Sequence, residues 1–192
     1  MISARTFLEQ LIAPYLTLKP SILQEMERYL HPIHLEAGQM LYPYGKICRD
    51  VVLLTQGLVR AYYIYEARDV NLRLLCGPAV VAAFSSLIEE APSEEWVEAV
   101  TEIRGYRAEL APLQYNNPLL YERIHRILAQ RHYLALERRL KMLQCKSALE
   151  RYTFFCERME PDIVNAMPGY HVASYLGISP ETLSRIRKKK AD

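Results

Sequence analysis

The sequence predicts an α+β chain in three parts: an N-terminal β-roll of jelly-roll type with helices before it, one long helix, and a C-terminal helix-turn-helix. Three observations predict this. Between His31 and about Arg107, short period-2 runs alternate with turn signals. From Pro118 to about Gln144 there is a 3.6-period stretch with no further Gly or Pro. From Gly169 to Ile186, a small residue, a glycine, a cap and a proline fall where two short helices would cross at a tight turn. The parts divide as residues 1–115, 116–145 and 146–192.

Residues 5–30 read as helical. Phe7, Leu8, Leu11 and Ile12 follow the helical period, and Pro14 and Pro20 interrupt it. Ser21 is the expected cap of a second helix carrying Ile22, Leu23, Met26 and Leu30. Strands are then expected at Ile33–Glu36, Met40–Tyr42, Val51–Thr55, Leu58–Tyr65, Val70–Leu75, Trp96–Val100 and Ile103–Tyr106. Many short strands with turns between them give a roll or barrel.

Asn117 can cap the long helix, and Pro118 suits its first turn. Leu120, Ile124, Ile127 and Leu134 form one apolar stripe; Ala129, Tyr133, Leu136, Leu140 and Leu143 form a second at 4-3-4-3 spacing. Two stripes require two burial partners. Arg131 and Arg138 interrupt the first, so the second is the better candidate for a seam with another copy of the helix; the alternative is that both stripes pack within one chain. Ser147–Met159 reads as a further helix with Leu149, Tyr152, Phe155 and Cys156 on one side, and Pro161 and Pro168 as the limits of a connecting loop.

In the last segment Ala173 is small where helices must approach, and Gly177 stands at the turn, where a positive φ is cheapest. Ser179 is a good N-cap and Pro180 fits the first helical position. Val172, Leu176, Ile178, Leu183 and Ile186 supply a shared core. The second helix then offers Ser179, Glu181, Thr182, Ser184, Arg185, Arg187, Lys188 and Lys189 to a DNA major groove. Arg185 has the geometry for a bidentate contact with guanine, and Glu181 can accept from cytosine N4. Thr182, Lys188 and Lys189 suit phosphates, which position a protein without reading sequence.

The chain has 192 residues, 51% of them hydrophobic, and a net charge of +2. That composition excludes a disordered chain. The small charge conceals an asymmetry. Residues 1–130 carry 12 Lys+Arg and 15 Asp+Glu, a net of −3, whereas residues 131–192 carry 12 and 7, a net of +5. Charge gathered at one end points to a polyanion there. No run of 18 apolar residues occurs and the N-terminus lacks a secretory layout, so no membrane partner is expected. Cys48, Cys76, Cys145 and Cys156 are scattered, which predicts reduced thiols and a cytoplasmic protein.

Val172-Ala173-Ser174-Tyr175-Leu176-Gly177-Ile178-Ser179-Pro180-Glu181-Thr182-Leu183-Ser184-Arg185, with Tyr42-Pro43-Tyr44-Gly45 and Gln56-Gly57-Leu58-Val59-Arg60 in support, resembles the Crp/Fnr family of bacterial transcription regulators. The resemblance covers nearly the whole chain and is greatest to a subgroup common in Bacteroidetes. It implies a β-roll sensor domain, a long dimerisation helix and a homodimer on a pseudo-palindromic double-stranded DNA operator, with recognition helices roughly 34 Å apart. RNA polymerase is an implied partner if the protein activates. Relatives read bases with residues matching Glu181 and Arg185. The preceding position, often basic in relatives, is Pro180 here, so no third base contact is implied. The segment after the recognition helix is short, and no wing is expected.

In cyclic-nucleotide-binding relatives a cassette presents Gly-Glu and then, about ten positions on, Arg and a small polar residue. In the matching stretch Ala83 stands where the ribose-binding Glu would be and Ser93 where the phosphate-binding Arg would be, with Glu94 and Glu95 beside it. The missing Arg removes a charge-assisted contact and the carboxylates repel phosphate, so cAMP and cGMP are expected to bind weakly or not at all. Ala83, Phe84, Ser85, Ser86 and Ser93 are the expected lining for an unknown small-molecule effector, and Trp96 is expected close by.

No bound cofactor or metal is expected. Iron–sulfur chemistry would need clustered cysteines near the N-terminus, and none precedes Cys48. His125 and His132, two turns apart on the long helix, are expected at the surface instead of on a haem. A cupin-like metal enzyme would rest on His31, His34 and Glu36, with Pro32 expected to break the strand geometry. The remaining alternative is a ligand-binding roll that does not bind DNA.

Overall fold

A computed structural model of the chain describes residues 3–12 and 19–191. Pro14 and Asp192 lie outside the described residues, as do the side chains of Leu11 and Ile12. Helices α1 (Ala4–Ile12) and α2 (Pro20–Glu27) come first. Pro20 begins α2 at its first turn, and Lys19 holds the cap position with extended backbone. The expected cap, Ser21, is therefore inside the helix. Proline tolerates N1 because that N–H has no helical partner anyway.

Eight strands follow: β1 (Leu30–Leu35), β2 (Met40–Tyr42), β3 (Asp50–Gln56), β4 (Leu58–Tyr65), β5 (Arg68–Cys76), β6 (Ala79–Val81), β7 (Trp96–Ala99) and β8 (Ile103–Glu109). They make two four-stranded antiparallel sheets, ordered β1-β8-β3-β6 and β2-β7-β4-β5. Pro32 does not break its strand. It lies in β1 opposite Tyr106, and β1 is an edge, where one side of the backbone needs no ladder donor. The chain passes from one sheet to the other at Gly57, whose φ is +97°. A Cβ there would run into the backbone oxygen of Glu102. Strands β4 and β5 form a hairpin closed by Glu66 and Ala67, both left-handed, at φ 48° and 59°.

Helix α3 (Phe84–Glu89) interrupts the strands, and α4 (Ala111–Asn116) precedes the long α5 (Pro118–Leu143). Asn117 caps α5 by accepting from the Leu120 N–H. Leu120, Ile124 and Leu128 of α5 pack into the roll's core beside Leu54, Val59 and Ile103. Of the first expected stripe, Leu134 is 52% exposed, and Leu128 continues the buried row instead. In the second stripe Tyr133, Leu136 and Leu140 are 66%, 43% and 56% exposed.

Ser147 caps α6 (Ala148–Arg158). Leu149 stands outside its buried side, at 43% exposure, while Tyr152 and Phe155 are buried. The expected loop between Pro161 and Pro168 is largely helical, as α7 (Pro161–Ala166). Helices α8 (Gly169–Leu176) and α9 (Pro180–Ala191) complete the chain. A second core joins Met142, Phe155, Ile163, Leu176 and Leu183 of this helical part to Leu58, Leu74 and Cys76 of the roll. No helix among the described residues is long and apolar enough to cross a membrane.

Candidate nucleic-acid interface

Two helices and a four-residue geometry build the site. Helix α8 stops at Gly177, which is left-handed at φ 63° and returns its N–H to Ser174. The Ile178 N–H donates to the Ala173 carbonyl at 3.1 Å, which turns the chain sharply. Ser179 then opens α9: its Oγ accepts from the Thr182 N–H at 3.2 Å. Ala173 is fully buried at the crossing, and Val172, Leu176 and Leu183 are buried with it. Ile178 and Ile186 pack against this group.

One face of α9 is thereby fixed inward, and the other is presented to solvent. Glu181, Ser184, Arg185, Lys188 and Lys189 are exposed, as is Ser179 at the cap. Thr182 is half-buried and accepts from Arg185 Nη2 at 3.3 Å. The carboxyl of Glu181 is held below its ordinary range by the N–H at the helix start, then by the Ser179 hydroxyl, with Arg185 adding to the effect. It is an anion ready to accept. Arg187 departs from the expected outward set: it is half-buried, with its guanidinium 5.9 Å over the Tyr152 ring.

The structure also brings together residues that the sequence kept apart. Arg60 of β4 is 7% exposed and pairs with Glu98 at 2.7 Å and Asp69 at 2.8 Å. Its Nη1 also meets Nδ1 of His171 on α8 at 3.3 Å. Asn71 donates to the His171 carbonyl at 3.0 Å. Ser174 donates to the Asp69 carbonyl and accepts from the Asn71 N–H. The first helix of the helix-turn-helix is thus fastened to the roll through buried polar groups. Roughly a hundred residues separate the partners, and no local signal announces them.

The expected effector residues divide differently. Ser86 Oγ accepts from the Cys48 N–H at 2.9 Å and donates to the Ala91 carbonyl. Ser93 Oγ donates to the Glu95 carbonyl and accepts from the Glu95 N–H. Both are turn formers with their hydroxyls already engaged. Ala83 is fully buried ahead of α3, and Ser85 is exposed. Glu95 is buried and ion-paired with Arg73. Phe84 alone of the five lines a cavity, of about 250 Å³ between the roll, α5 and α6. Trp96 is stacked between Tyr44 and Tyr62, at ring distances of 4.7 and 5.7 Å.

His125 stacks on Tyr121, and His132 stacks on Phe84 at 4.5 Å, half-buried and not at the surface. Burial, with Arg73 nearby, pushes His132 down to about 4. His34 meets Glu36 and Glu102, but all three are exposed and Arg104 also pairs with Glu102. His31 is outside that group, because neighbouring residues of a strand point to opposite faces.

No family model matches the chain, and no curated protein pairs with it by sequence. Solved structures do match. FixK2 of Bradyrhizobium japonicum superposes with a TM-score of 0.69 at 19% identity, over 83% of each chain. CLP of Xanthomonas campestris, a c-di-GMP-responsive global regulator, gives 0.68 at 14% identity, over 90% of this chain and 92% of its own. TTHA1359 of Thermus thermophilus, a transcriptional regulator of the CRP/FNR family, gives 0.64 at 17% identity, over 84% and 86%. With a two-sheet roll, one long helix and a helix-turn-helix in the same order, the chain has the fold of the Crp/Fnr regulators.

Proposed function

We propose that the protein is a DNA-binding transcription regulator of the Crp/Fnr type, acting as a homodimer on a pseudo-palindromic site. The observation that carries this is the outer face of α9. Glu181, Ser184, Arg185, Lys188 and Lys189 stand in solvent on a helix whose inner face is locked by Leu183 and Ile186. A rigid helix presenting an acceptor, a guanidinium and lysines in sequence has the parts for groove entry and phosphate anchoring. The apolar residues Tyr133, Leu136 and Leu140, exposed on α5 in the single chain, support a dimer seam there. A pocket without cAMP affinity is supported by Ser93, whose hydroxyl is held by its own turn, and by Glu95, which pairs with Arg73.

A gel shift of the full chain on DNA from its own upstream region tests the reading. Binding that prefers one sequence over bulk competitor, and weakens as salt rises, is expected. Equal affinity for all sequences, or none, overturns it.

A further inference from the structure

One end of the first sheet gathers an imidazole and two carboxylates from three stretches of chain. His34 is near the end of β1, directly opposite Arg104 of β8. Glu36 follows β1 in a tight turn, in which the Gln39 N–H donates to the Glu36 carbonyl at 3.1 Å and Gln39 Oε1 accepts from the Glu36 N–H at 2.8 Å. Glu102 immediately precedes β8, with its carbonyl against Gly57. Ladder, turn and close packing thus hold the three backbones in place. Sequence spacing offered His31 as the third member, and the structure puts Glu102 there instead.

The donor atoms converge. His34 Nε2 lies 3.0 Å from Oε1 of Glu102 and 3.7 Å from Oε1 of Glu36. All three donors fall within 4.8 Å of one another. Tetrahedral ligands at about 2.0–2.1 Å from zinc stand roughly 3.3 Å apart, so the two measured spacings straddle the required one. Two carboxylates held this close repel each other, and a cation between them removes that cost. Arg104 supplies part of the remedy, donating to Glu102 Oε1 at 2.8 and 2.9 Å. A metal therefore competes with Arg104 for Glu102. The exposure of the group denies it the dry, shaped cavity of metal catalysis, but not reversible binding.

We propose that His34, Glu36 and Glu102 form a reversible binding site for a divalent transition cation of the zinc type, with water completing its shell. One imidazole among the ligands selects zinc, nickel or copper over magnesium and calcium, which take oxygen ligands. An occupant would pin the edge strand β1 and its turn to the start of β8. No residue of the helix-turn-helix takes part, so the inference stands whether or not the chain binds DNA.

The test is calorimetric titration of the metal-free, reduced full chain with zinc chloride. One zinc per chain is expected, undisturbed by a large excess of magnesium and unchanged in Cys145→Ser, which removes a partly exposed thiol. Losing an outer-shell partner already costs about 10–100-fold in metal affinity, so His34→Gln and Glu102→Gln should each cost roughly tenfold or more. Arg104→Gln should tighten binding, because it frees Glu102. Circular dichroism confirms that the variants fold; if one of the two ligand variants does not, the other decides. No zinc bound, displacement by magnesium, loss in Cys145→Ser, unchanged affinity in a folded ligand variant, or weaker binding in folded Arg104→Gln overturns the site.

Discussion

Nη1 of Arg60 lies 3.3 Å from Nδ1 of His171, joining the second sheet of the roll to the first helix of the helix-turn-helix. Arginine can only donate, so Nδ1 accepts and the proton of the neutral ring sits on Nε2. Protonating the ring would remove that acceptor and set two cations against each other.

Burial, then the Arg60 charge, pushes His171 down to about 4. In the unfolded chain it titrates near 6.5. Between those values the unfolded chain binds the extra proton, so stability rises with pH. It is full above about 6.5 and falls as pH drops toward 4, by up to about 3 kcal/mol from this residue. Half-buried His132 shifts in the same direction. Thermal melts should therefore show Tm falling steadily from pH 7 to pH 5. His171→Gln, which keeps a neutral acceptor, should flatten that slope; an unchanged slope would remove His171 as its cause.

The hairpin between β4 and β5 closes with Glu66 and Ala67, at φ 48° and 59°. Such two-residue turns favour Asn-Gly, because other L-residues pay a steric penalty in this region. The double substitution Glu66→Asn, Ala67→Gly should stabilise the fold by about 1 kcal/mol. Urea denaturation measures it, and the midpoint should rise with no change in the slope.

Leu140 is 56% exposed on α5, in line with Leu136 and Tyr133. Leu140→Glu should leave the single-chain fold intact, since the side chain packs on neither core. Sedimentation should show a dimer for the parent and a monomer for the variant. A variant that still sediments as a dimer would move the seam elsewhere.

Arg185→Ala should weaken DNA binding by roughly 1–3 kcal/mol and relax preference at one base pair. Lys189→Ala should weaken binding to all sequences alike and make the salt dependence shallower. Competition gel shifts across a range of salt concentrations separate the two outcomes.

What could be read from the sequence was what local chemistry dictates. Asn117, Ser147, Gly177 and Ser179 each sit where cap or turn geometry needs them, and the structure uses them so. The division of α9 into a buried side and a solvent side followed from the same period that buries Leu183. The short helices at Phe84–Glu89 and Pro161–Ala166 were not legible, because six residues cannot establish a 3.6 period. Pro32 misled because its effect depends on whether the strand is an edge, a property of the sheet and not of the run. Leu120 and Ile124 were legible in the first stripe of α5, but Leu128, which completes their buried row, was hidden among other apolar residues until the roll's position chose between them.

The second core has a consequence for how this molecule can be taken apart. Leu58, Leu74 and Cys76 belong to the roll, yet they are buried with Phe155, Leu176 and Leu183 of the helical part. A fragment cut near residue 145 would expose oily surface on both halves. The helix-turn-helix end is therefore not a detachable head: grafted onto another roll, it would need that roll's outer residues to fill the same gaps.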